Sequence, residues 1–281
     1  MGGEKTILER FPGAEKTLTN ECILPDGQVL QLTTTHYLSS FFSNLLEIKY
    51  WVNNSTALTP VQLSAGCSTR LIGAIVQMHS DNSGLMLPWE LSQEQIVVVV
   101  FKDLHQDDLQ IYLSSLEREL SIYRFTIEII TGSLGQTMYR LEKLGIPLVI
   151  IVGRSEVENS KVTLKLRTCE DKFRCNLSEL KQEIHQIKKN YKQELLNRSR
   201  KHNSNFLVKT RDWRELIKLI SNGKVVLAPW RDELENETRF KSQKYNFSIR
   251  CIKEKLAPNT NFKCVFSGQT ANCLAYFGRS Y

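Results

Sequence analysis

The run Ile-Val-Val-Val-Val-Phe at 96–101 limits the chain's folding choices more than any other stretch. A strand of this sequence is apolar on both faces, as expected where helices cover a parallel sheet on both sides. The sequence that follows supplies such helices. Leu109, Leu113, Leu116 and Leu120 recur at helical spacing. "FTIEII" (125–130) predicts a second strand, and "SLGQTMYRLEKLG" (133–145) a helix closed by Gly145. "PLVIIVG" (147–153) and "KVTLKLR" (161–167) predict a third and a fourth strand. Asn176 and Glu179 have the spacing of a capping box, and Leu180, Ile184, Ile187, Tyr191 and Leu195 line one face of the helix after it. Strands alternating with helices predict a compact α/β domain over 93–196.

The flanking segments read differently. "TLTNECIL" and "QVLQLTTT" surround Pro25-Asp26-Gly27 and predict a hairpin over 17–35, because Pro presets φ and Gly accepts φ > 0. "YLSSFFSNLLEI" (37–48) has the apolar density of a short buried helix, and "NNST" (53–56) marks a loop. "SAGCSTRLIGAIVQMHSDNSGLMLP" (64–88) reads as a small-residue turn and then an apolar helix ended by "SDNSG". Arg70 falls in the first turn of that helix, at the positive end of the dipole, an unfavourable position by roughly 0.3–1 kcal/mol. Gly73 costs about 1 kcal/mol against Ala there, which close packing against a strand would explain. Beyond 196, "NRSRKHNSN" (197–205) reads as a basic linker. A helix at 213–220, a strand "KVVLAPW" (224–230), a charged segment, "SIRCIKEKL" and a terminal "LAYFGRSY" then make up a third unit.

A length of 281 residues accommodates two or three domains. With 41% hydrophobic and 24% charged residues, the composition is that of a soluble globular protein. No apolar run has the length of a membrane span, and "MGGEKTILERF" lacks the apolar core of a signal peptide. The seven cysteines include no C-x-x-C pair and are expected to be reduced cytoplasmic thiols. Residues 181–214 hold ten Lys or Arg against three acids, an excess equal to the whole-chain net charge of +7. A nucleic-acid partner and a solvated linker with a charged helix face both fit that excess.

Four stretches in collinear order resemble prolyl-tRNA synthetase, in the form with an extra C-terminal domain. "ERFPGAEKTLTNECILPDGQVLQLTTTHYL" is similar to the segment after motif 2 of the class II catalytic domain, and "GCSTRLIGAIVQMHSDNSGLMLP" to motif 3. "GSLGQTMYRLEKLGIPLVIIVG" resembles the anticodon-binding domain, and "GKVVLAPW" with "YFGRSY" the extra C-terminal domain. The fold class this implies is α/β (α+β): part of the antiparallel class II catalytic sheet over 1–92, an α/β anticodon-binding domain over 93–196, and a linker with a small α/β C-terminal domain over 197–281.

The resemblance implies a proline–tRNA ligase of the cytoplasm, acting in protein biosynthesis, with ATP, Mg2+, proline and tRNA(Pro) as its ligands and partners. By position, Gln31, Thr34, Ser68 and Arg70 match ATP-binding residues, and Phe11 and His36 match proline-pocket residues. Bound nucleotide would offset the dipole penalty at Arg70, since guanidinium stacks on adenine and pairs with phosphate. On the residues alone, Arg70 reads as a surface arginine, Thr33–Thr35 as plain strand and His36 as a hydrogen-bonded core histidine. Arg167, Lys188 and Lys189 are the expected tRNA contacts. No catalytic side chain is assigned.

Several positions depart from the family pattern. Ala65 stands where motif 3 usually has Trp, which would open one wall of the amino-acid pocket. Many relatives bind zinc through four cysteines in the C-terminal domain; Arg231, Asn236 and Phe266 hold three of those positions and only Cys264 remains. One thiolate cannot make a tetrahedral structural site, so no zinc is expected. Motifs 1 and 2 of the family, including the arginine that grips the α-phosphate, have no counterpart in these residues. The intact family enzyme is a homodimer through motif 1, and a separate N-terminal catalytic half is therefore an expected partner. A split gene, a partial gene and a decayed copy all fit. The alternative is a non-catalytic tRNA-binding protein derived from a synthetase.

Overall fold

The structure, a computed structural model, describes residues 1–102, 106–258 and 261–281. They form two compact units, Met1–Ala74 with Lys201–Tyr281, and Ile75–Arg200. The N-terminal segment begins with β1 (Gly2–Glu4), β2 (Lys16–Ile23) and β3 (Val29–Ser39), then a one-turn helix α1 (Phe41–Leu45). A small hairpin of β4 (Tyr50–Asn53) and β5 (Thr56–Leu58) leads to β6 (Gln62–Cys67) and α2 (Arg70–Met78). The 17–35 hairpin forms as its turn chemistry predicts, with β2 and β3 antiparallel.

Three local expectations are corrected here. The small-residue stretch before α2 is a strand, because Ser64, Ala65 and Gly66 pair with His36, Thr35 and Thr34 of β3. Helix α1 forms but buries only Ser43; Phe41, Leu45 and Leu46 are exposed, since one helical turn presents little more than one side chain to the sheet. Gly73 is not packed against a strand: a methyl group there would meet nothing within 4 Å.

The second unit carries the hairpin β7 (Ser80–Asp81) and β8 (Gly84–Leu85), then β9 (Ile96–Phe101), α3 (Gln106–Leu120), β10 (Phe125–Ile130), α4 (Leu134–Leu144), β11 (Leu148–Val152), α5 (Arg154–Glu158), β12 (Lys161–Leu166), β13 (Lys172–Asn176) and α6 (Leu180–Phe206). The sheet order is β10-β9-β11-β12-β13. β9 lies between two parallel neighbours, and Ile96–Val100 are fully buried. Val98 and Val100 pack with Leu116, Leu120, Leu180 and Ile184, while Val97 and Val99 pack with Met138 and Leu141 on the other side. That two-sided burial is the physical content of the uninterrupted apolar run. Gly145 ends α4 in the left-handed region, at φ 76°.

At the start of α6, a 3-10 turn (Leu177–Glu179) precedes the helix. Asn176 therefore bonds the Glu179 side chain (3.1 Å) instead of capping the backbone. Residues 197–205 are the last turns of α6, not a linker. The stretch has no Gly or Pro to end the helix, and i,i+4 pairs support it, Gln193 with Asn197 (2.9 Å) and Arg198 with Glu194 (3.1 Å).

The chain then returns to the first unit with β14 (Leu207–Lys209), α7 (Trp213–Ser221), β15 (Val225–Trp230), α8 (Leu234–Ser242), β16 (Ser248–Lys255) and β17 (Cys273–Gly278). Both ends of the chain build one sheet in the order β14-β15-β17-β16-β1-β2-β3-β6, antiparallel except for β14–β15. The join is Glu4 of β1 opposite Ile252 of β16. Trp230, Phe240, Phe247 and Phe277 fill the core between α7, α8 and the sheet.

Candidate functional site

Phe11 is placed by a turn that only its neighbours could make. Ala14 N–H donates to Phe11 C=O (2.9 Å) around Pro12 and Gly13, and Gly13 has φ 83°. A side chain at Gly13 would also strike the Phe41 ring at 2.7 Å. The turn brings Phe11 N–H to Thr17 Oγ1 (3.0 Å), and Thr17 Oγ1 lies 3.0 Å from His36 Nδ1. The Phe11 and His36 rings meet at a centroid distance of 4.7 Å. When the Thr17 hydroxyl donates to Nδ1, the neutral imidazole carries its proton on Nε2. The two residues read from sequence as one pocket are thus in contact, with Thr17 as the bridge that sequence reading missed.

Gln31 and Thr34 are three residues apart, which in a regular strand would put them on opposite faces. A bulge reverses this. Asn20 pairs with Thr33 but Glu21 pairs with Gln31, leaving Leu32 as the extra residue. Cross-strand partners share a face, so Gln31 (opposite Glu21), Thr34 (opposite Thr19) and His36 (opposite Thr17) lie on one face. Ser64 and Gly66 of β6 extend that face. Ala65 pairs with Thr35 and lies on the reverse face, which Leu18 and Leu63 share. It is therefore not in the same row as His36, as a pocket wall would be.

Ser68 and Arg70 follow the end of β6. Ser68 Oγ accepts from Arg70 N–H (3.3 Å), and Ser68 C=O accepts from Leu71 N–H (3.0 Å), so Ser68 starts α2 and Arg70 is its first helical residue. The Arg70 side chain is exposed at the positive helix end.

The same face of β2 also carries a buried ionic cluster that sequence reading did not single out. Glu21 is 2% exposed and accepts from Lys5 Nζ (2.6 Å) and Arg250 Nε (2.7 Å). Lys5 Nζ also donates to Arg250 C=O (2.9 Å). The cluster ties β2 to β16 beside Thr19, whose hydroxyl donates to Glu21 (3.4 Å).

In the second unit, Arg167, which the resemblance expects at the tRNA, forms an internal clamp. Its side chain is 5% exposed. Nε donates to Leu85 C=O (2.8 Å) and Glu142 C=O (3.1 Å), Nη1 to Asp81 (3.0 Å), and Nη2 to Asp81 (2.5 Å) and Gly84 C=O (3.2 Å). Gly84 permits this, since any side chain there would meet Lys143 Cα at 2.4 Å. The Arg167 guanidinium holds the Asp81 carboxyl below the usual carboxylate range. Lys188 lies in an ion pair with Glu90 (3.3 Å), and Lys189 is exposed. At 100° per residue, Lys181, His185, Lys188, Lys189, Lys192 and Arg200 fall within an arc of about 120° on α6. That arc borders the buried row of Leu180, Ile184, Ile187, Tyr191 and Leu195.

Comparisons with known proteins bear on both units. Residues 95–187 match the family described as "Anticodon binding domain", and residues 213–281 match "Prolyl-tRNA synthetase, C-terminal". The proline–tRNA ligase of Malacoplasma penetrans is 34% identical over 280 residues, covering 99% of this chain and 59% of that protein. The proline–tRNA ligase of Ureaplasma urealyticum is 32% identical over 279 residues, covering 99% of this chain and 58% of that protein. Over nearly its whole length, the chain is similar to proline–tRNA ligases. It spans under two thirds of the length of these relatives. A crystal structure of prolyl-tRNA synthetase from Cryptosporidium parvum, complexed with halofuginone and AMPPNP, shares the mixed α/β fold. Its TM-score is 0.89 at 24% identity, over 100% of this chain and 59% of that one. Another of the same enzyme, complexed with L-proline and AMP, matches equally at 0.89.

The positions that the resemblance assigns to zinc cysteines, Arg231, Asn236, Cys264 and Phe266, do not fit a metal here. Asn236 Nδ2 donates to Arg231 C=O (2.8 Å) and to Cys264 Sγ (3.6 Å), so the remaining thiol already has a neutral partner. Phe266 packs on Trp213 (5.2 Å) and Phe240 (5.7 Å). Amide, ring and guanidinium replace a donor set with packing and hydrogen bonds.

Proposed function

We propose that the chain supplies part of a proline–tRNA ligase: the later catalytic-domain segment over 1–92, the anticodon-binding domain over 93–196 and the C-terminal domain over 197–281. In the proposed reaction the proline carboxylate attacks the α-phosphorus of ATP and expels pyrophosphate. A ribose hydroxyl at the 3′ end of tRNA(Pro) then attacks the carbonyl of the resulting prolyl adenylate, forming the prolyl ester and expelling AMP. The observation that carries the reading is the bulged register of β2 and β3, which aligns Gln31, Thr34 and His36 on one face.

Each residue has a chemical task in that reading. Phe11 and His36 wall the prolyl ring by apolar and aromatic contact. Gln31, Thr34 and Ser68 orient ATP through hydrogen bonds. Arg70 stacks on adenine or meets the terminal phosphate, and the nucleotide's charge offsets its position at the helix start. Mg2+ would neutralise phosphate charge when bound with ATP. Lys188 and Lys189, with the rest of the α6 arc, contact tRNA phosphates. The reading also includes a homodimer, an N-terminal catalytic half and a cytoplasmic setting. Among the described residues no helix is long and apolar enough to cross a membrane.

The test joins the chain to the N-terminal portion of a proline–tRNA ligase and measures proline-dependent ATP–pyrophosphate exchange. Exchange is expected. Arg70→Ala is expected to weaken ATP binding about tenfold, the effect of losing a desolvated cation–π contact, while tRNA affinity stays unchanged. Normal ATP affinity in Arg70→Ala would return Arg70 to a surface role. A second reading, a non-catalytic tRNA-binding protein, is favoured by the exposure of Leu63–Cys67 along β6. Persistent absence of exchange in the joined protein, with tRNA binding intact, would select it.

A further inference from the structure

The C-terminal part of the first unit holds a cavity that the ligase reading does not use. Its floor is Leu227, Pro229 and Leu274, its wall Phe262, and its rim Lys209 and Arg211, enclosing about 270 Å³. Strand register builds it. Lys209 lies beside Leu227, and Pro229 lies beside Leu274, so these side chains share a face. β14 stops at Lys209, and the chain turns away through Thr210, whose hydroxyl bonds Glu215 and accepts from Asp212 N–H (3.2 Å). Pro229 has no N–H to leave unpaired where β14 ends. The result is an apolar hollow at the sheet edge.

The walls indicate what the hollow receives. The Arg211 guanidinium carbon sits 4.4 Å from the Phe262 ring centroid, forming a flat, cationic stacking surface. Lys209 and Arg211 are exposed, and Arg214 adds a third cation on the adjoining turn. The nearby acid Asp212 is engaged as the cap of α7, accepting from Glu215 N–H (2.7 Å). A purely apolar ligand would cover the floor but desolvate two cations. A bare anion would satisfy the cations and leave the floor wet. A planar ring carrying an anion satisfies both, and the volume lies below the roughly 300–1,000 Å³ of sites for drug-sized ligands.

We propose that this cavity holds one unpaired nucleotide of an RNA strand, its base on the Phe262–Arg211 pair and its phosphate at Lys209. Stacking plus a cationic track is the general mode of single-strand recognition, and it requires no particular base. The site is separate from the anticodon-binding domain and does not depend on ligase activity.

The experiment uses the whole chain and a single-stranded RNA of about ten nucleotides carrying 4-thiouridine. Irradiation is expected to crosslink the RNA at Phe262 or Arg211. Fluorescence anisotropy is expected to show about tenfold weaker binding in Phe262→Leu and in Arg211→Gln, within the range for loss of one stacked base. Unchanged thermal unfolding would establish that both variants fold. Lys209→Gln is expected to reduce the salt dependence of binding. Unchanged affinity in Phe262→Leu with crosslinks confined to α6 would overturn the proposal and leave the anticodon-domain reading intact. Binding of free AMP at the cavity without binding of RNA would also overturn it.

Discussion

Arg167 and Asp81, 86 residues apart, form a two-pronged ion pair with nitrogen–oxygen distances of 3.0 and 2.5 Å. The same guanidinium takes up the carbonyls of Gly84, Leu85 and Glu142. One side chain therefore fixes the β7–β8 hairpin against the end of α4.

Arg167→Ala should cost about 2–3 kcal/mol, since three part-buried carbonyls and the Asp81 carboxylate lose a charged donor. Asp81→Asn should cost less, about 0.5–1 kcal/mol, because the carboxylate is about a third exposed and screened. The folded carboxyl is held below its ordinary range, chiefly by the Arg167 hydrogen bond. Its stabilisation is therefore complete above the ordinary carboxylate range and is lost as pH falls through the lower folded value. Thermal unfolding at a series of pH values should show wild type and Asp81→Asn converging in acid. RNA affinity should be equal in folded Arg167→Lys and wild type. A selective loss of RNA binding in that variant would restore Arg167 as a contact.

Glu21 bridges Lys5 and Arg250 in the interior, at 2.6 and 2.7 Å. Glu21→Gln keeps the shape and leaves two buried cations without their counter-charge. The expected loss is about 3–5 kcal/mol, the range for breaking a buried pair from one side. Denaturant unfolding measures it. A loss under 1 kcal/mol would mean that water reaches the cluster.

The C-terminal domain should carry no stoichiometric zinc. Arg231, Asn236 and Phe266 hold positions that the resemblance assigns to cysteines, and the Cys264 thiol accepts from Asn236 at 3.6 Å. Elemental analysis of protein purified without chelator checks this, and one zinc per chain would contradict it.

How much could be read in advance depended on the range of the forces involved. The β9 run, the Leu109–Leu120 spacing and Gly145 act locally, and the elements they predict are present. The pairing of Glu4 with Ile252 has no local signature, so nothing in the sequence shows that 1–92 and 197–281 contribute strands to one sheet. The 197–205 segment looked like a linker by polarity, but helix needs only the absence of breakers and a few i,i+4 pairs. Phe11 and His36 were legible only by resemblance. The Leu32 bulge that aligns Gln31 with Thr34 left no mark, since a bulge depends on the partner strand. The Arg167 clamp is not legible in sequence because its acceptors are mostly backbone carbonyls, which every residue has.

The last prediction separates RNA binding from catalysis. The α6 arc carries its cations on one side, and phosphate neutralisation by such cations releases condensed counterions. If four of them engage phosphates, log affinity for tRNA should fall with log salt at a slope of about −3. Lys189→Glu with Lys192→Glu should flatten that slope and weaken binding at low salt, with thermal stability unchanged because both side chains are exposed. The same 281-residue chain should give no proline-dependent ATP–pyrophosphate exchange by itself. Its proposed nucleotide face is an open sheet surface whose last strand, β6, is exposed from Leu63 to Cys67. An adenylate-forming site must hold phosphate charge among preorganised groups away from water, and an open face cannot do that. Exchange by the isolated chain would show that β3, β6 and α2 suffice for the chemistry. A salt-independent tRNA affinity would remove the phosphate role of α6.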